Sequence, residues 1–216
     1  MEQKKVSRSV LKRLPAYLSY LKALPENAPP HISATSLANA LGMGEVQVRK
    51  DLAMVSDGGR PKIGYLRESL VDDIEQFLGY DNTTDAVLVG AGNLGRALMD
   101  YQGFGDYGLN IVAAFDANPV ADRTEGGKPI YPVEKLASFC RTHKVLMGII
   151  TVPAENAQTV ADQLVAGGIK AIWNFAATYL EVPSNILVQT ENMATSLAVL
   201  SVHLQAQIKE GKDPQK

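Results

Sequence analysis

Six residues near the middle of the chain, Gly90-Ala91-Gly92-Asn93-Leu94-Gly95, have the types and spacing of a phosphate cradle. The apolar run Ala86–Val89 precedes them and Arg96-Ala97-Leu98-Met99 follows, so a strand enters the turn and a helix leaves it. In a G-x-G-x-x-G so placed, Gly90 permits the tight turn and Gly92 lets a pyrophosphate approach the backbone. Gly95 lets the helix pack closely on the strand. The free N–H groups and dipole at the helix N-terminus then favour the phosphates. The next apolar run, Ile111–Phe115, ends in Asp116, 21 residues beyond Gly95. That is close to the roughly 20 expected for the acid that holds an adenine ribose. A carboxylate there repels a 2′-phosphate, so NAD(H) is expected over NADP(H). The plainer alternative for Asp116 is a loop cap ahead of Asn118-Pro119. Thr151, Val152 and Pro153 end a further apolar run, and Asn174 and Phe175 end another. All lie at the sheet edge where ligands of such folds bind. Their alternatives are strand-ending turns and core packing.

A second set of residues suits nucleic acid. Residues 33–55 read as helix, glycine turn (Gly42-Met43-Gly44), helix, the helix-turn-helix pattern whose second helix enters the major groove. On that helix Gln47, Arg49 and Lys50 have types suited to adenine, guanine and phosphate, while Val46, Leu52 and Val55 are expected to face the core. Arg60 and Lys62 sit on a turn-rich loop that would form a wing, with 63–65 as its returning arm. Residues 1–67 hold 11 Lys/Arg against 5 Asp/Glu, and the rest of the chain holds 10 against 18. A basic end on an acidic body suggests a polyanionic partner for the first part. A solvated helix face with a local ion pair is the competing reading of Arg49-Lys50-Asp51.

The elements that would carry these groups follow from periodicity. A first helix, interrupted by Pro15, is expected to begin near Leu14, because proline suits a first turn. Ser33 or Thr35 caps a short helix ending at Leu41, and residues 67–78 form an amphipathic helix. From Asp85 short apolar strands alternate with helices at 93–101, 132–142 and 154–166, the rhythm of a parallel sheet covered on both faces. A strand at 186–190 and a long helix at about 192–210 finish the chain. The expected class is α/β: an N-terminal winged helix-turn-helix domain, a Rossmann-type domain and a C-terminal helix.

Other functions find little support. His31, His143 and His203 stand in no recognisable catalytic motif, and no metal-ligand or nucleophile pattern occurs, so no catalytic or metal-binding residue is assigned. Cys140 is the only cysteine, so neither an internal disulfide nor a four-cysteine zinc site is possible. No apolar run reaches the ~18 residues of a membrane span, and no secretory signal is seen. A cytoplasmic location without membrane association is expected.

The motifs together resemble those of the Rex family of redox-sensing transcriptional repressors. They are Gln47-Val48-Arg49-Lys50-Asp51-Leu52, Gly64-Tyr65, Gly90 to Leu98, Asp100 to Gly105, Thr151 to Ala154 and Gly168 to Phe175. The resemblance covers nearly the whole chain. It implies a winged-helix domain over residues 1–80, a Rossmann domain over 81–190, and a domain-swapped helix and tail over 191–216 of a homodimer. It implies NADH and NAD+ as ligands and double-stranded operator DNA as partner, with NADH favouring a closed dimer that leaves the operator. It places the recognition positions on Gln47, Arg49 and Lys50, the ribose acid on Asp116, and a nicotinamide-side tyrosine on Tyr101. An NAD-dependent oxidoreductase with an N-terminal dimerisation region is the competing reading. The chain departs from the family pattern at Ala53-Met54-Val55-Ser56, at the wing 59–65, at Ala177 and at Asn192, where the family commonly has aspartate. A neutral amide there removes a charge-assisted contact from the switch, so weakened coupling of NADH to DNA release is expected.

Overall fold

The computed structural model describes residues 7–209; the basic residues before Ser7 and the tail after Lys209 lie outside them. By its internal contacts the chain divides into two units. One runs up to Thr83 and includes Asp106–Gly108; the other comprises Thr84–Gly105 and the chain from Leu109 onward.

The first unit opens with α1 (Arg8–Ala23), whose N-cap Ser7 accepts from the Val10 N–H at 3.4 Å. The helix thus starts earlier than expected, with Pro15 inside it. Proline removes one helical hydrogen bond, but Val10, Leu14, Tyr17, Leu18 and Leu21 form one buried stripe spanning both sides of it. Burial of that stripe offsets the loss. Helix α2 (Ala34–Leu41) is capped by Ser33, whose hydroxyl accepts from Ser36 N–H at 3.0 Å, and ends at Gly42 with φ +63°. Helix α3 (Glu45–Val55) follows. Its inward stripe is Val48, Asp51 and Leu52, whereas Val46, expected in the core, is 63% exposed. Two residues turn a helix by about 200°, so Val46 and Val48 cannot share a face. Strand β1 (His31–Ile32) pairs antiparallel with β2 (Tyr65–Leu66), just before α4 (Arg67–Leu78). The arm 63–65 therefore returns onto Ile32, and His31 precedes it in the same strand.

The second unit is a six-stranded, wholly parallel sheet in the order β5-β4-β3-β6-β7-β8. The strands are β3 (Thr84–Val89), β4 (Leu109–Asp116), β5 (Ile130–Pro132), β6 (Met147–Ile150), β7 (Ala171–Asn174) and β8 (Leu187–Thr190). Strand β5, a three-residue edge, was not apparent from the sequence. Val87, Val89 and Phe115 face one buried cluster and Ala86, Leu88 and Ala114 the other, so helices cover both faces of the sheet. These are α5 (Asn93–Asp100), α6 (Leu136–His143) and α7 (Ala154–Ala166). Cys140 is buried in α6, and burial pushes its thiol up to about 11, so it is an inert core residue. The last described element, α8 (Met193–Lys209), has no buried residue; Leu197, Leu200, Leu204 and Ile208 are all exposed. No helix among the described residues is long and apolar enough to cross a membrane.

Candidate functional site

The strand order reverses between β3 and β6, and such a switch point opens a crevice at the carboxyl ends of the strands. The glycine turn leaves β3 at that point. Gly90 has φ +106°, and a Cβ there would lie 2.9 Å from the Thr151 carbonyl carbon. Thr151 clamps the turn: its hydroxyl donates to the carbonyls of Val89 (3.0 Å) and Gly90 (2.8 Å). Gly92 is the N-cap of α5, and no atom lies within 4 Å of the Cβ position it leaves empty. The backbone is therefore open to a large anion where the first-turn N–H groups lack helical acceptors. Gly95 packs onto the Gly90 carbonyl so closely that a Cβ would overlap it. Asn93 and Leu94, between these glycines, are exposed.

Asp116 ends β4 beside the turn. Its Oδ2 accepts from the Ala91 N–H at 2.7 Å and its Oδ1 from the Asn118 N–H at 2.9 Å. The carboxylate caps the loop, as the plainer reading has it, and also ties β4 to the glycine turn. Each oxygen keeps lone-pair capacity for a ribose hydroxyl. Gly90, Gly92, Asp116, Thr151, Val152 and Pro153 line one cleft of about 380 Å³. Ala117, Val133, Asn156, Thr159, Val160 and Gln163 line it too, and sequence reasoning missed them. A signal existed: 156, 159/160 and 163 recur at helical spacing on α7, one face of which packs on the sheet.

An aromatic ladder continues from the other side of the turn. Tyr101, the C-cap of α5 and 54% exposed, meets Phe104 edge-on at 4.9 Å; Phe104 meets Trp173 at 5.7 Å, and Trp173 meets Phe175 at 4.8 Å. Phe104, Trp173 and Phe175 pack on the cluster that contains Ala91. The Trp173 indole N–H donates to Glu191 Oε1 at 2.9 Å, just before α8. Asn174 takes the part of a core residue, one of the alternatives to a ligand contact that the sequence left open. It is fully buried; its Nδ2 donates to the Thr178 carbonyl at 3.0 Å and its Oδ1 accepts from Ala176 N–H at 2.9 Å. A buried amide must satisfy itself, so Asn174 closes the loop that holds Phe175 and presents no free polar atom. Asn192 caps the start of α8, with Oδ1 accepting from Thr195 N–H at 3.2 Å.

In the first unit, Gln47, Arg49 and Lys50 are all exposed on α3, and Arg49 pairs with Glu45 one turn back. The competing reading, a solvated face with a local ion pair, fits Arg49 with Glu45 but not Asp51. Asp51 is buried and takes a two-pronged bond from Arg13 on α1, Nε–Oδ2 at 2.7 Å and Nη2–Oδ1 at 2.9 Å, plus the Tyr17 hydroxyl at 2.7 Å. The bond to Asp51 raises the Arg13 pKa, so the guanidinium stays charged, and burial followed by Asp51 pushes the Tyr17 phenol up to about 12. With its amide oxygen turned to Arg13, Gln47 accepts from Nη1 at 2.8 Å. Arg13 thus holds both the buried Asp51 and the exposed Gln47 of α3. Arg60 and Lys62 are exposed on the wing, which is closed by reciprocal Arg60–Gly64 backbone bonds at 2.9 Å. Lys62 takes a left-handed backbone at the tip, φ +65°. A hollow of about 520 Å³ lined by His31, Ser56, Arg60 and Ser69 lies beside it.

Comparison with known proteins agrees with this division. A model described as a CoA binding domain matches residues 81–178, and one described as a putative DNA-binding protein N-terminus matches residues 5–53. The redox-sensing transcriptional repressor Rex of Porphyromonas gingivalis is 41% identical over 197 residues, 91% of this chain and 90% of that protein. Rex of Clostridium beijerinckii is 40% identical over 203 residues, 92% and 95% respectively. Among solved structures, RSP in complex with β-NAD+ and operator DNA superposes with a TM-score of 0.87 at 34% identity, covering 97% of each chain. RSP in complex with β-NADH gives a TM-score of 0.86 at 34% identity, covering 97% of this chain and 99% of that one.

Proposed function

The chain belongs to the Rex family of redox-sensing transcriptional repressors, and we propose that it holds operator DNA when NADH is scarce and leaves it when NADH fills the cleft at the switch point. The observation that carries this reading is the pairing of two sites in one chain. One is a cleft lined by Gly90, Gly92 and Asp116; the other is an exposed recognition face of Gln47, Arg49 and Lys50.

Gly92, Asn93 and Leu94 offer backbone N–H groups to the pyrophosphate. Ala91 and Gly95 let it and the helix come close, and Asp116 accepts from the adenine ribose. Val152 and Pro153 wall the cleft, Thr151 keeps the turn in shape, and Asn174 positions Phe175. The ladder headed by Tyr101 stands on the nicotinamide side, where the redox state of the ring is the signal. That ladder is bonded through Trp173 to Glu191, so its position bears directly on the start of α8. In a homodimer, a second copy of the chain covers the exposed apolar face of α8. On DNA, Gln47 and Arg49 read bases, Lys50 neutralises phosphate, and Arg60 and Lys62 reach the flanking groove. On this reading the chain is a cytoplasmic regulator that senses the nucleotide and transfers no hydride. The Thr151 hydroxyl and Asp116 carboxylate on the cleft make structural hydrogen bonds to the glycine turn.

The test is separation of the two activities. Arg49→Ala and Lys50→Ala weaken binding to duplex DNA and flatten its salt dependence while leaving NADH affinity intact. Turnover of a hydroxy or amino substrate with no retained DNA refutes the reading and favours an oxidoreductase.

A further inference from the structure

The cleft that Asp116 lines is walled also by Ala117, Val133 and Val160, and Gln163 lines it with them. Its Oε1 is enclosed and meets no donor, the only such buried side-chain atom among the described residues. A buried acceptor without a partner is costly and calls for an explanation. The other polar groups on the cleft are differently placed. Thr151 and Asp116 bond the glycine turn. Asn156 and Thr159 are exposed at the rim. Gln158, nearby on α7, is bonded to Asp162 and to Glu181. Of these groups, the Gln163 Oε1 alone is both enclosed and unmet.

We infer that Gln163 is a specificity-determining residue of the cleft, reading the base as adenine. The inference rests on the cleft being the dinucleotide site. A ribose on Asp116 sends its base toward the apolar walls, and a primary amide matches one base edge particularly well. Glutamine pairs with adenine by accepting from the 6-amino group and donating to N7. The 6-amino group supplies the donor that Oε1 lacks, and the ring nitrogen takes the Nε2 hydrogen. Hypoxanthine carries a carbonyl where adenine carries the amine. On the edge that carries N7, hypoxanthine offers two acceptors and no donor, so Oε1 stays unpaired whichever way the amide faces, and the site discriminates by a group it cannot satisfy.

The experiment compares the affinities of the full chain for NADH and for reduced nicotinamide hypoxanthine dinucleotide, by calorimetry. The wild-type chain binds NADH at least tenfold more tightly. Gln163→Met keeps length and apolar volume, lowers NADH affinity and brings the ratio to within about twofold. Gln163→Glu retains the acceptor and loses the donor; it binds NADH less tightly but keeps the preference for adenine, which a purely structural role for the residue would not produce. Equal wild-type affinities overturn the inference, and so does a Gln163→Met protein that keeps the full preference. NADH binding without base preference sinks this inference alone. Absence of NADH binding by the wild-type chain sinks the assignment of the cleft with it.

Discussion

Replacement of Asp51 by alanine is the sharpest probe of how α3 is held. The carboxylate is 4% exposed and the Arg13 side chain 19%, with two bonds between them and a third from Tyr17. Removing one member of a buried pair strands the other, which costs about 3–5 kcal/mol. The remaining exposure of Arg13 places Asp51→Ala at the low end, about 3 kcal/mol. For a unit of this size that lowers the unfolding midpoint by roughly 10–20 °C, read by circular dichroism. Replacing the whole group, as Arg13→Met/Tyr17→Phe/Asp51→Leu, leaves no stranded charge and recovers most of the loss. The tyrosine adds a pH signature. Burial and its bond to Asp51 raise its pKa to about 12 in the folded chain, above the value of about 10 in the unfolded one. Its contribution is therefore whole below pH 10 and is lost as pH rises toward 12. Tyr17→Phe flattens the curve over that window. An Asp51→Ala protein within 1 kcal/mol of wild type, or a triple variant that costs the sum of the singles, refutes the reasoning.

Asp116→Ala removes the charge that repels a 2′-phosphate; the ratio of NADH to NADPH affinity falls at least tenfold in a fluorescence titration. Lys62→Gly relieves a left-handed backbone held by a non-glycine residue and stabilises the wing by about 1 kcal/mol. With Lys62 proposed as a charged wing contact to DNA, its loss also lowers the magnitude of the salt slope of DNA binding by about one. Glu191→Ala frees the Trp173 indole and raises the NADH concentration needed for DNA release, with the DNA affinity of the ligand-free protein unchanged in a gel shift. Asn192→Asp keeps the cap on α8 and restores a charge; release then occurs at lower NADH than in wild type, and unchanged release refutes the expectation that Asn192 weakens the switch.

What the sequence made legible is local. Gly90, Gly92 and Gly95 act through backbone geometry that their own spacing sets, and Asp116 was placed by counting along the chain. Ser33 and Gly42 bound α2 through contacts within one turn. The features that escaped depend on distant partners. Asp51 looks like part of a solvated run because Arg13 stands 38 residues away. Val46 and Val48 are chemically identical, and only the packing of α1 and α2 decides which is inside. Asn174 has the polarity of a ligand contact, but its loop encloses it. Gln163 gains meaning only when β3, β4 and β6 bring Asp116 and α7 to one cleft. Pro15 misled because a long buried stripe outweighs one missing hydrogen bond.

The central claim is that NADH, and not NAD+, takes this protein off DNA. Fluorescence anisotropy of a labelled promoter fragment, titrated with the full chain and then with each nucleotide separately at equal concentration, tests it directly. Loss of the bound signal with NADH and its persistence with NAD+ is the predicted result. Equal release by the two nucleotides, or no release by either, contradicts the claim.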